Sequence, residues 1–419
     1  MRVSRLCVAL SAALLVTSAA RAEMDLDGWL SQDTATGDWG GLRSRVEAAG
    51  LTVEGNYQTD LLANPIGGEQ QGFAYDGLME ISLDFDLDKI AGLEGTSFFI
   101  AGYWASGEDL SDTKIGNLID VSQVFDGRTV RLGQMYLEQE LFGDVLDVAV
   151  GRLTTGDDFA TSDLYDSYVS SGINGNPFAL DENLPSFTED SVAQWGVRAI
   201  VHPTEQIRLA AGVYNADPDV AKDGKHGVDF VLNPEDGVLV MAEAGYQWNQ
   251  AEDDSGLPGS ATFGGYYDSS DFESVADEDS DDGSGDERDG NYGFYLLLDQ
   301  MVFREGGAGS DQGLTPWTAF TFAPVERVNT IPFSASGGLV YQGLIPGRDD
   351  DLTAVAVYYG KFSDKLEDQN AETVIEVNHR LQLTPWLYAT PDFQYVFRPN
   401  GQSDIDDAAV FGGEIGIDF

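Results

Sequence analysis

Arginine is scarce in this chain, with thirteen residues after the N-terminal leader, so those on polar phases of alternating segments stand out. Arg198 shares a phase with Gln194 in the segment 190–202, opposite Ala193, Trp195, Val197 and Ala199. Arg208 stands against Ile207, Leu209, Ala211 and Val213 in the next segment. Arg380 falls in step with Glu376 and Asn378, and earlier segments place Asp60 and Glu80 on polar phases of the same kind. Between segments, a long stretch contributes Asp158 and Phe159. Guanidinium, carboxylate and amide groups exchange hydrogen bonds with hydroxyls, while an aromatic face covers the apolar side of a ring. Such a set suits reversible recognition of a hydroxylated solute, and it equally suits salt bridges that brace a wall. It does not suit catalysis. His202, His226 and His379 share no local motif with a serine or a metal-ligand spacing, and no GxSxG, HExxH or phosphate loop occurs. No catalytic residue, metal or cofactor is expected.

These side chains need long strands to present them. From Glu372, polar Glu376, Asn378, Arg380 and Gln382 alternate with Ile375, Val377, His379, Leu381 and Leu383, with Val374 the exception. Thr384-Pro385 interrupts the run, and a second returns through Ala389, Phe393, Tyr395 and Phe397. The chain ends on a third, with Phe411, Ile415, Ile417 and Phe419 on one face. Period two over ten or more residues means strands with one apolar and one wet face. That length exceeds the usual soluble strand and fits a tilted membrane-spanning one. The pattern gives sixteen strands, near 51–62, 73–88, 94–105, 127–141, 144–154, 190–202, 205–216, 237–249, 259–268, 290–303, 313–324, 334–343, 351–362, 371–384, 386–397 and 407–419. The expected fold is all-β: a closed antiparallel transmembrane barrel over 51–419, preceded by a short helical segment in 23–50. That helix is expected over 39–50, with Asp38 as N-cap and Gly50 as stop. The phases of 127–141 and 144–154 are ambiguous and leave Arg131 and Arg152 unassigned.

Connections supply an independent check. Those after odd-numbered strands include 106–126, 155–189, 217–236 and 269–289, all long. Those after even-numbered strands include Phe142-Gly143, Pro203-Thr204 and Thr384-Pro385, all short. Long outer loops and short periplasmic turns on alternate ends are a barrel's pattern. Loop 155–189 carries Tyr165, Tyr168, Pro177 and Phe178, and is expected to fold inward and narrow the lumen. Loop 269–289 holds ten carboxylates against Arg288 alone, so loose divalent-cation screening is expected there rather than a dedicated metal site. Leu314-Thr315-Pro316-Trp317 is echoed by Leu383-Thr384-Pro385-Trp386, and both tryptophans are expected in an interfacial aromatic girdle.

Met1–Ala22 reads as a secretory signal: Arg2 and Arg5, an apolar centre from Leu6 to Val16, then Ala20-Arg21-Ala22. The chain from Glu23 onward has no cysteine, and its 19 basic and 72 acidic residues give a charge of −53. That balance argues against nucleic acid as a partner and against an anion pore.

Three stretches together resemble the carbohydrate-selective porin family, often called OprB-like. The first is Thr36-Gly37-Asp38-Trp39-Gly40-Gly41-Leu42-Arg43, and the second is Gly151-Arg152-Leu153 with Asp157-Asp158-Phe159-Ala160. The third runs from Leu383-Thr384-Pro385-Trp386-Leu387 through Pro391-Asp392-Phe393-Gln394-Tyr395 to Phe419. The resemblance implies a sixteen-stranded barrel in the outer membrane of a Gram-negative bacterium. It would pass small carbohydrates, monosaccharides such as glucose, into the periplasm. The alternative is a general cation-preferring diffusion porin, suggested by the charge and by Glu54, Asp60, Glu80 and Asp84. Outer-membrane lipid, lipopolysaccharide and the barrel-assembly machinery are the expected partners, with Phe419 as the assembly signal.

Overall fold

The computed structural model describes residues 26–143, 145–222, 224–251, 254–275 and 288–419. The leader 1–22 and most of the acidic loop 269–289, with its expected cation screening, lie outside the described residues. The wall strands are β1 Leu51–Ile66, β2 Gly72–Asp86, β3 Thr96–Gly107, β4 Thr129–Leu141, β5 Leu146–Leu153 and β6 Gln194–Thr204. Next come β7 Ile207–Asn215, β8 Val238–Trp248, β9 Gly259–Phe272, β10 Arg288–Gln300 and β11 Gly313–Phe322. The last five are β12 Phe333–Gln342, β13 Leu352–Lys361, β14 Ala371–Thr384, β15 Leu387–Phe397 and β16 Ala408–Asp418. Phe303–Arg304 adds a two-residue ladder beside β11. Each strand pairs antiparallel with the next, and β16 returns to β1 with Asn56 opposite Asp418 and Asp60 opposite Glu414. The sheet is a closed sixteen-stranded barrel.

Period two decides what each face meets. Ile81, Leu209, Val213, Val377 and Phe411 point outward and are exposed, together with aromatics such as Phe73, Trp104 and Phe263. An apolar band of this extent belongs against hydrocarbon. Among the described residues no helix is long and apolar enough to cross a membrane.

The ambiguous phase of the fourth segment has a cause. Gly102 pairs with Leu132 but Ile100 with Met135, so Gly133 and Gln134 oppose Ala101 alone. This bulge flips the alternation halfway along β4. Pairing to β5 also ends at Met135, which leaves the outer end of β4 an open edge. Loop 217–236 covers it: the Leu132 N–H donates to the His226 carbonyl at 3.0 Å. Gly227 permits that approach, since a Cβ there would overlap the Leu132 carbonyl. Arg152 donates to the Gly227 and Ala193 carbonyls, and Arg131 lies 3.8 Å from Asp126. Both unassigned arginines hold this seam.

Two local expectations are corrected. The N-terminal helix is only Arg43–Ala48, because Trp39, Gly40 and Gly41 take positive φ and delay its start. Asp38 is therefore not its N-cap. Its carboxylate instead accepts from the Ser44 N–H at 2.8 Å and the Ser44 hydroxyl at 2.7 Å. The two echoed tryptophans are not in a lipid girdle either, and each is only 5% exposed. Trp317 lies on the inward phase of β11 and donates to the Tyr168 hydroxyl at 3.0 Å. Trp386 is covered by Trp29, with ring centroids 4.7 Å apart.

Candidate functional site

Two loops cross the lumen, and inward wall residues hold them. Loop 155–189 begins at the β6–β8 side, where Arg198 contacts Asp158 at 3.1 Å and Glu138 at 2.7 Å. Arg208 donates to the Asp158 carbonyl at 2.7 Å and to Glu243 at 2.6 Å. Phe159 is fully buried and meets Tyr214 edge-on at 6.4 Å. The loop then reaches the far wall. There the Asp166 carbonyl accepts from Arg380 at 2.6 Å and the Ser167 carbonyl from Asn378 at 2.9 Å. Glu376 receives the Val169 N–H at 2.8 Å and the Ser170 N–H at 3.0 Å. A carboxylate that takes two adjacent backbone donors satisfies groups that a buried loop would otherwise leave bare. On the way back, Gln194 donates to the Ser186 carbonyl. Arg198 and Arg208 thus act together on one side while Arg380 stands across the barrel. They do not form one ring.

Loop 106–126, for which the residue pattern suggested no role, also turns inward. Glu372 receives the Leu118 and Ile119 N–H groups at 3.0 and 2.9 Å, and Gln394 donates to the Val121 carbonyl at 2.8 Å. The Ser122 hydroxyl lies 2.7 Å from Asp60 and 3.1 Å from Asp76. Asp60 is fully buried beneath this loop, so it is no part of an open pore wall. A signal for the inward turn was present in Ile115, Ile119 and Val121, which are fully buried. Apolar residues in a loop of a water-filled barrel need something to pack against, and they join Tyr168, Val169 and Ile173 in an internal cluster.

Between loops and wall lie three chambers that share walls in sequence. The outer one, about 360 Å³, is bounded by Asp120, Asp126, Phe125, Phe178 and Phe187, with Gln123, Glu189 and Asp190 at its floor. Gln123, Glu189 and Asp190 also border a middle chamber of about 430 Å³. There they face Glu80, Asp157 and Glu414, with Arg380 above Tyr388 at 4.2 Å from its ring centroid. Asn56 and Glu80 then border a third chamber of about 660 Å³ at the periplasmic end. At the first partition the two loops meet, with Gln123 donating to Glu189 at 2.7 Å. Burial pushes the Glu189 carboxyl up to about 8, helped by the charges of Asp181 and Asp190 and opposed by the Gln123 bond. Of the residues singled out in the sequence, Glu54, Glu80 and Arg380 border this passage. Asp60, Glu376, Asn378, Asp158, Gln194 and Arg198 hold the loops that shape it.

Comparison with known proteins settles the family. The family model for carbohydrate-selective porins, OprB family, matches residues 70–419. This chain belongs to that family. Porin B of Pseudomonas aeruginosa is 24% identical over 418 residues, covering 90% of both chains. A putative porin, QuiX, of Acinetobacter baylyi is 24% identical over 433 residues, covering 94% of this chain and 95% of its own. The high-pH structure of Pseudomonas putida OprB superposes with a TM-score of 0.84 at 24% identity, covering 93% of this chain and 99% of that one. The porin is therefore a channel of the Gram-negative outer membrane and not an enzyme.

Proposed function

We propose that this porin passes small carbohydrates, monosaccharides such as glucose, down their gradient into the periplasm. The observation that carries the reading is the series of chambers. Each of the first two falls in the size range of small-molecule sites, about 300–1,000 Å³. A hydroxylated solute must trade water hydrogen bonds for wall hydrogen bonds at little net cost and still leave quickly. Amide, carboxylate and guanidinium groups spread along the passage meet both needs, and Phe125, Phe178 and Phe187 offer apolar faces at the entrance. Liposome swelling with neutral sugars of graded size tests it. Monosaccharides should enter faster than di- and trisaccharides, and equal rates for all sizes would reject selective passage.

A cation-preferring diffusion pore is the second reading, and one observation favours it. The middle chamber sets Glu80, Asp157, Asp166, Glu189, Asp190 and Glu414 against Arg380 alone. Reversal potentials in a salt gradient separate the two readings when measured with and without glucose. The expected partners of assembly remain part of this proposal: Phe419 packs across Gly55 on the outer face, where the assembly machinery would read it.

A further inference from the structure

We infer that the N-terminal segment is a working part of the channel: residues 32–47 form one wall of an exit chamber through which solute leaves. This rests on the reading of the barrel as a solute conduit. A segment before the first strand could equally hang free in the periplasm, but here it is bound to the closing seam of the barrel. The Ala35 N–H donates to the Asp418 carbonyl at 2.8 Å. Arg43 donates to the Val53 carbonyl at 2.8 Å and the Phe419 carbonyl at 2.6 Å, so one guanidinium ties the segment to the first strand and the last residue. The Trp29 ring on Trp386 fixes the far end.

What this fixed segment encloses is the third chamber, with Gln32, Thr34, Ser44 and Glu47 on its side and the β1–β2 wall opposite. The wall carries an inward ladder that starts in the middle chamber at Gln58. It continues through the facing pairs Asn56–Glu80 and Glu54–Ser82, each step two residues further toward the periplasm. Two residues of strand are about 7 Å, so neighbouring rungs can be bridged by one pyranose-sized solute. Every rung pairs different groups: amide with carboxylate, then carboxylate with hydroxyl. A hydroxyl-bearing solute therefore finds both donors and acceptors at each step. Charge narrows the class further. Arg43 is occupied by its oxygen partners on Thr34, Val53 and Phe419 and by an ion pair with Glu47 at 3.5 Å, while Asp33, Glu54 and Asp418 add negative charge. The exit suits neutral or cationic hydroxylated solutes and disfavours anions.

The absence of cysteine after the leader allows a direct test in the full-length porin. Glu54→Cys puts a thiol on the ladder inside the exit chamber, and Asp88→Cys puts one on the exposed periplasmic turn outside it. Each is treated from the periplasmic side with trimethylammonioethyl methanethiosulfonate. The thiolate attacks the reagent's sulfur to form a mixed disulfide and releases methanesulfinate. Modification of Glu54→Cys should lower single-channel conductance at least about two-fold and slow glucose swelling, with Asp88→Cys unaffected. Complete modification of Glu54→Cys with current and swelling both unchanged would overturn the exit route, as would equal losses at Asp88→Cys. If the unmodified protein conducts ions but passes no sugar, the carbohydrate reading fails, and the current change alone then decides the route.

Discussion

Replacing Glu376 by alanine should open the lumen while leaving the barrel standing. The carboxylate receives two backbone donors of loop 155–189, from Val169 at 2.8 Å and Ser170 at 3.0 Å, and also Asn378 at 2.6 Å. Hydrogen bonds to a charged group contribute roughly 1.5–3 kcal/mol each, so the two loop contacts are worth about 3–6 kcal/mol of docking. At about 1.4 kcal/mol per tenfold, that multiplies the open-loop population by two to four powers of ten. The remaining holds include Arg380 on Asp166, Asn378 on Ser167, the Tyr168–Trp317 contact and, at the loop's two ends, Arg198 and Arg208 on Asp158 and Gln194 on Ser186. The loop should therefore open and close rather than detach. Planar-bilayer recording should show larger, noisier conductance for Glu376→Ala, and liposome swelling should admit larger sugars. Heat-modifiable mobility on gels should still report a folded barrel. A folded variant with unchanged conductance, noise and size cut-off would refute the claim that this carboxylate docks the loop.

Arg380→Ala removes the cation that the middle chamber holds against its carboxylates, so the reversal potential should move toward stronger cation preference. Arg198→Ala instead strands Glu138 and Asp158, and should cost on the order of 3–5 kcal/mol of stability, read as a lower melting temperature, with selectivity barely changed. The Glu189 carboxyl, raised to about 8, is charged above that pH and neutral below it. Cation preference should accordingly weaken as pH falls through 8, with Asp181, Asp190 and Gln123 the groups facing it, and Glu189→Gln should remove that step. Deleting Phe419 should lower the folded fraction recovered from outer membranes, because its ring no longer packs across Gly55 and its carbonyl no longer meets Arg43.

The wall was legible in the sequence because a barrel strand repeats one simple rule many times. Alternation placed Arg198, Arg208, Arg380, Glu376 and Asn378 inward, and the structure has each of them contacting a loop or a lumen carboxylate. Where the rule breaks, reading stopped. The bulge at Gly133 and Gln134 reverses the phase within one segment, which no period-two template can follow. Trp317 was misplaced for a related reason: a tryptophan beside a proline near a turn looks like an interfacial anchor, but strand phase, not proximity to the turn, sets its direction.

The passage itself was illegible, because it is made by contacts between segments far apart in the chain. Glu372 and Leu118 are 254 residues apart, and Glu376 and Val169 are 207 apart. An inward carboxylate reads the same in sequence whether it faces water or receives a loop's N–H groups. Burial by the loops is what separates the two roles, turning Asp60 and Glu376 into anchors while leaving Glu80 beside the chambers. The consequence for function is a division of labour along single strands. On β14, Glu372, Glu376 and Asn378 hold two loops, and the next inward residue, Arg380, both holds Asp166 and borders the solute. Changes at Arg380 should therefore mix gating with selectivity, whereas changes at Glu372 or Glu376 should act on gating alone. The difference between them, measured in the same bilayer assay, isolates the electrostatic part of Arg380's role.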